Sequence, residues 1–267
     1  TPDGVEKFLH RLIEKSKPAA QREMKELSEF AKQRDGIDQL MPWDVSYYID
    51  KLKQKKFDFD EEQLRPYFKL ENVIDGVFLH AQKLYNLEFK ATTEYPVYHQ
   101  DVKVYEVSKA DSGDYVGLFY ADFFPRATKR SGAWMTNYLD QGLFKGEVMR
   151  PHVGIVCNFT PSTADKPSLL TFGEVQTLFH EFGHALHGML SDCTYRSLSG
   201  TSVYWDFVEL PSQILENWTL EKEALDLYAK HYETGETIPQ DLTDKIKKSS
   251  QFMAGYYSMR QLTFATI

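Results

Sequence analysis

The sequence predicts an α+β protein, mainly α, with a small antiparallel sheet flanked by helices. Apolar residues recur at helical spacing up to about residue 87 and again from 171 onward. Between them the period shortens to two and the residues become β-branched and aromatic. No internal repeat or low-complexity linker interrupts the pattern, so residues 1–267 read as one unit. Within it, 1–87 are helical, 88–160 hold the small sheet, and 171–267 carry a second helical set.

The elements follow in order. Residues 3–34 place Val5, Phe8, Leu9, Leu12, Ile13, Met24, Leu27, Phe30 and Ala31 on a helical stripe, with Pro18 expected to divide or kink it. Residues 43–52 and 61–68 read as short helices, and 70–85 as an amphipathic one with Val73, Ile74, Val77, Phe78, Ala81 and Leu84 facing inward. Residues 102–107 and 115–123 alternate around the turn-forming cluster 110–114, which predicts a hairpin. Residues 152–159 are a third strand. In 171–190, Val175, Leu178, Phe179, Phe182, Ala185, Leu186 and Met189 return to helical spacing.

Bulk properties narrow the function. A chain of 267 residues with 16 Tyr and 18 Phe can bury a full core. A net charge of −8 and the lack of a basic run argue against nucleic-acid binding. Two cysteines, Cys157 and Cys193, do not make a disulfide scaffold and favour a reducing, cytoplasmic compartment. No apolar run reaches the ~20 residues of a membrane span, and no signal-peptide pattern is present. The sequence starts without Met and stops inside a periodic helical pattern, as an excerpt of a longer protein would.

The chemistry lies in the helix at 173–190. His180, Glu181 and His184 form a His-Glu-x-x-His string, and residues four apart share a helix face, so two imidazoles converge. With one carboxylate they make a three-ligand zinc site with an open fourth position, the catalytic kind. Glu181 lies one residue round the helix, where it can take a proton from a zinc-bound water. This points to a zinc hydrolase, a peptidase, against the plain alternative of a chance string in a core helix. His187 shares the stripe and reads as a satisfied histidine of the core or one that supports the ligands from behind, and is not counted as a ligand.

Downstream, Asp206, Glu209, Gln213 and Glu216 form a polar stripe opposite Phe207, Leu210, Ile214, Leu215 and Trp218. Acidic residues alone do not pick the ligand from this stripe. Glu209, twenty-five residues past His184, precedes Pro211, where a helix should kink or stop. Asp206 is a candidate to orient a ligating histidine or to cap the helix, and Glu216 reads as a solvated face. Val153, Gly154 and Asn158, in the strand before the metal helix, either offer an edge to an extended peptide or belong to an interior strand.

The segments 177–187, 199–201 and 206–213 closely resemble the thimet oligopeptidase, neurolysin and dipeptidyl carboxypeptidase family of zinc metallopeptidases. The likeness extends through Met41 to Asp44, Asp122 to Arg126, Lys129, Gly132-Ala133, Asn158 to Thr160 and Ser168 to Leu170, covering essentially the whole chain. It implies a zincin-like core, one Zn2+ per chain held by His180, His184 and Glu209, and Glu181 as general base. It also implies short peptides as substrates, the remaining parts of a full-length peptidase as partners, and either endo-cleavage or release of C-terminal dipeptides. Arg126 and Arg196 are residues that could capture a substrate carboxylate.

Ser202, Trp205 and Gly173 depart from the family wording at channel-lining or helix-entry positions. The family also places oxyanion-stabilising tyrosines and a histidine in a Gly- and Tyr-rich loop. Gly255-Tyr256-Tyr257 lies at the wrong point for that loop and reads as core or surface. The chain is therefore expected to bind zinc yet cleave peptides weakly or not at all, because an oxyanion donor typically contributes a factor of ~100 to 1,000 in rate. A zinc-binding module without catalysis would have no use for Glu181, and its presence counts against that alternative.

Overall fold

A computed structural model describes residues 1–267. The helices begin with α1 (Pro2–Asp35), α2 (Val45–Phe57), a 3₁₀ turn at Glu61–Tyr67 and α3 (Leu70–Tyr85). The strands follow as β1 (Leu87–Thr92), β2 (Lys103–Lys109), β3 (Tyr115–Asp122), β4 (Trp134–Leu139), β5 (Gly142–Phe144), β6 (Glu147–Met149) and β7 (His152–Val156). The rest is helical: α4 (Phe172–Met189), α5 (Trp205–Val208), α6 (Leu210–Glu216), α7 (Lys222–Tyr228), α8 (Gln240–Ser249) and α9 (Ala254–Thr266). None is long and apolar enough to cross a membrane. The chain divides into two compact units, Thr1–Asp60 with Asp244–Ile267, and Glu61–Thr243.

In the first unit Leu27, Phe30 and Ala31 of α1 pack with Val45, Tyr48, Ile49 and Leu52 of α2 and with Met253. Pro18 neither divides nor ends α1, which runs through it. Pro18 and Glu14 are exposed, so water can satisfy the carbonyl that proline leaves unpaired. The Glu23 carboxylate accepts from the N–H groups of Gly255 (3.1 Å) and Tyr256 (2.7 Å), which caps α9. A Cβ at Gly255 would lie 2.7 Å from the Ala20 nitrogen, so only glycine lets α9 lie this close to α1. Tyr256 packs on this core, while Tyr257 is half exposed.

The second unit is a five-stranded sheet in the order β1-β2-β3-β7-β4, covered by helices. The predicted hairpin is β2–β3, closed by a turn in which Gly113 takes φ +76°. The sheet is mixed, where the sequence suggested an antiparallel one: β3 and β7 run parallel, with Leu118 opposite His152 and Asp122 opposite Val156. Both strands are interior and almost wholly buried, as parallel strands are, so they read as near-continuous apolar runs that carry no direction signal. The remaining pairings are antiparallel, and β4 closes one edge.

Phe182 ties α4 to this sheet through Phe119 and Phe89, with ring centroids 5.6 Å away in each case, and through Phe78 of α3 at 6.0 Å. Thr171 and Glu174 form a capping box at the start of α4. At its other end the Arg150 guanidinium donates to the carbonyls of Met189 (2.9 Å), Ser191 (3.4 Å) and Val116 (2.8 Å), fastening the helix to β3. The metal-type histidines thus sit on a helix fixed at both ends.

Candidate metal centre

His180 and His184 lie one turn apart on α4, with ring centroids 4.9 Å apart and ring planes nearly perpendicular. The carboxylate reaches them from the break that Pro211 imposes. Glu209 is the joint between α5 and α6, and Pro211 sits in the first turn of α6, where its missing N–H costs nothing. Gly183 makes the approach possible: a Cβ there would lie 2.6 Å from both the Pro211 carbonyl oxygen and the Ser212 Cα. Ser212 Oγ donates to Glu209 Oε2 at 2.9 Å and fixes the carboxylate.

The result is a cluster in which Nε2 of His180 and Nε2 of His184 each lie 3.2 Å from Glu209 Oε2. All three donor atoms fall within 4.8 Å of one another. Tetrahedral zinc with bonds of about 2.1 Å needs its ligand atoms about 3.4 Å apart. The residues present therefore fit a zinc ion.

Glu181 is buried, and its Oε2 has no hydrogen-bond partner. Burial pushes its carboxyl up to about 7, opposed by the His180 imidazole and reinforced by Glu209. Burial lowers His184, favouring the neutral imidazole that a metal needs, and lowers His187, which is outside the cluster, in the same way. His180 is raised instead, chiefly by its hydrogen bond to Glu216.

That hydrogen bond corrects a sequence expectation. Glu216 is no idle solvent face: its Oε1 accepts from His180 Nδ1 at 2.6 Å. Asp206 is exposed at the first turn of α5 and bonds neither histidine. Two helical turns separate Glu209 from Glu216, so both point to α4, whereas Asp206 precedes the break and points away. His184 Nδ1 and His187 Nδ1 are buried without a partner. The signal for Glu216 was its seven-residue spacing from Glu209.

The strand expectation is corrected too. β7, with Val153 and Gly154, is interior: β3 occupies one side of its ladder and β4 the other. It has no edge to offer a peptide. Asn158 instead donates through Nδ2 to the carbonyls of Arg130 (2.9 Å) and Gly132 (2.7 Å), holding the loop that leads into β4. A cleft of about 340 Å³ beside the histidines is lined by Ala133, Trp134 and Met135 on that loop and strand, with Thr201, Val208 and Glu209 opposite. The alternation of Trp134, Thr136 and Tyr138 was the sequence signal for this missed strand.

Arg126 is already committed. Its Nη1 and Nη2 grip Asp122 Oδ1 and Oδ2 at 2.9 and 3.0 Å. Lys129 Nζ donates to Asp122 Oδ1 (2.9 Å), Asp122 O (3.0 Å) and Phe124 O (2.7 Å). Burial alone would raise Asp122, but these bonds and one from Tyr98 outweigh it and hold the carboxyl below the usual range. Arg196 packs against Gly142 and does not line the cleft.

Two histidines one helical turn apart and a carboxylate from a neighbouring element, with a buried glutamate beside them, are a donor set that could hold a metal ion. Residues 1–267 match the family model described as peptidase family M3, and the chain belongs to that family. It is 40% identical over 265 residues to oligopeptidase A of Escherichia coli (strain K12), covering 98% of this chain and 39% of that protein. It is 37% identical over 268 residues to the same organism's dipeptidyl carboxypeptidase, covering 100% of this chain and 39% of the relative. Saccharolysin of Saccharomyces cerevisiae (strain ATCC 204508 / S288c) is 36% identical over 276 residues, covering 97% and 38%. The chain thus spans well under half the length of these relatives.

Proposed function

We propose that this chain is the metal-binding core of a zinc metallo-oligopeptidase that hydrolyses bonds in short peptides. The convergence of His180 Nε2, His184 Nε2 and Glu209 Oε2 beside a buried, unpartnered carboxylate carries this reading. Zinc held there would polarise a peptide carbonyl and bring a water close to ionisation at neutral pH. Glu181 takes the proton on its free Oε2 and later returns it to the departing amine. A dication held by His180, His184 and Glu209 would oppose the burial that raises Glu181 and favour the ionised carboxylate that can accept a proton.

The free edge of β4 is where an extended peptide would add as a further strand, with Ala133 and Trp134 beside the metal. The cleft supplies no tyrosine, lysine or arginine near the ligands. Turnover by these 267 residues is therefore slow even when zinc is held. Relatives named for oligopeptidase and for dipeptidyl carboxypeptidase activity match about equally well, so release of C-terminal dipeptides is the second reading. Products from one C-terminally blocked and one free peptide separate the two.

Zinc content after exhaustive dialysis tests the site. Wild type should keep about one ion per chain and His184→Ala almost none; equal content in the two would sink the assignment. Glu181→Gln should keep zinc and lose whatever hydrolysis the wild type shows.

A further inference from the structure

The loop entering β4 carries an arginine that the proposed chemistry does not use. Arg130 is exposed, and its guanidinium carbon lies 6.0 Å from the ring centroid of Trp134, a wall of the metal cleft. No carboxylate of the chain pairs with it, although Asp and Glu total 39 against 31 Lys and Arg. Its backbone is fixed: Asn158 holds the carbonyls of residues 130 and 132, and the side chain of the preceding Lys129 is buried and bound to Asp122 and Phe124. An exposed side chain thus stands on a fixed backbone beside an aromatic ring.

We propose that Arg130 captures a carboxylate of the bound peptide and so sets the specificity of the cleft. The proposal rests on the peptidase reading above. A cation–π contact at this distance uses none of the guanidinium N–H donors, and no carboxylate of the chain takes them, so they are free for a two-pronged grip on a carboxylate. Residue 130 lies four residues before the first residue of β4, at one end of the edge along which a peptide would lie. Arg126, the other arginine of this loop, has both terminal nitrogens bound to Asp122 and cannot serve. The carboxylate comes either from the peptide C-terminus or from an acidic side chain.

Calorimetric titration of the zinc-loaded chain with four versions of one pentapeptide tests this. The versions combine a free or amidated C-terminus with Glu or Gln at one internal position. Arg130→Gln should weaken binding of a carboxylate-bearing version about 10-fold and leave the neutral version unchanged. Arg130→Lys, which lacks the planar fork, should recover only part of the loss. Dependence on the free C-terminus or on the internal Glu identifies the source, and either supports the proposal. If Arg130→Gln binds all four as wild type does, the role of Arg130 falls while the peptidase reading stands. If zinc-loaded wild type binds none of them, both fall.

Discussion

Replacing Glu216 with alanine removes the hydrogen bond that fixes the outer nitrogen of His180, 2.6 Å from the Glu216 carboxylate. A hydrogen bond to a charged group contributes about 1.5–3 kcal/mol. The two side chains are 25% and 35% exposed, so solvent screening favours the low end, about 1.5–2 kcal/mol. That corresponds to a loss of about 10- to 30-fold in zinc affinity, within the range typical of the groups that orient metal-bound histidines. Glu216→Gln keeps an acceptor but not the charge and should fall between alanine and wild type. Competition against a chromophoric chelator at one fixed pH gives the dissociation constants, and circular dichroism checks that the fold is retained. Asp206→Ala is the control, because Asp206 touches neither histidine, and should stay within about 2-fold of wild type. Wild-type affinity in Glu216→Ala, or equal losses in the Glu216 and Asp206 variants, would refute the assignment.

Other perturbations follow from the same contacts. Gly183→Ala places a methyl 2.6 Å from the backbone of Pro211 and Ser212; it should cost about 1–3 kcal/mol in urea unfolding and weaken zinc more than it weakens the fold. Lys129→Met leaves the buried Asp122 carboxylate short of a partner and should destabilise by about 3 kcal/mol. Asp122 is held below its ordinary value, so its stabilisation is fully present above the unfolded aspartate pKa near 4 and is lost as pH falls through the lower folded value. The urea midpoint of wild type should therefore drop more steeply below about pH 4 than that of Asp122→Asn, and parallel slopes would contradict the network.

The parts of the site that obey one local period were legible in the sequence. His180, Glu181 and His184 share one helix, so the 3.6-residue repeat places them with no knowledge of the fold. Glu209 needed more. The helix break at Pro211 showed where a bend belongs, but the polar stripe alone could not separate Glu209 from Asp206 or Glu216, because their facing is set by where the bend falls. The order β3-β7-β4 was not legible either. A fully buried apolar strand such as residues 153–156 looks the same whether its neighbours run parallel or antiparallel. That ambiguity is why the sequence offered β7, an interior strand, as a candidate peptide-binding edge.

The proposed ligand role of Glu209 also predicts which part of the unit should respond to metal. The segment carrying Glu209 is poorly covered on its outer side: Trp205 is 92% exposed and Leu210 52%. Its order rests on the inner contact with α4 at Gly183 and on the side chains that reach the histidines. Zinc at 100 times its dissociation constant adds about 2.7 kcal/mol to whatever opening releases the ion. Opening of α5 and α6 releases Glu209, so amides in residues 205–216 should slow by up to about 100-fold in hydrogen exchange. Amides of β2, which contribute no ligand, should slow only if they exchange through global unfolding. Mass-resolved exchange with and without zinc reads both regions at once. Equal slowing throughout would mean that the ligand segment has no independent opening, and that its exposed outer face does not weaken it.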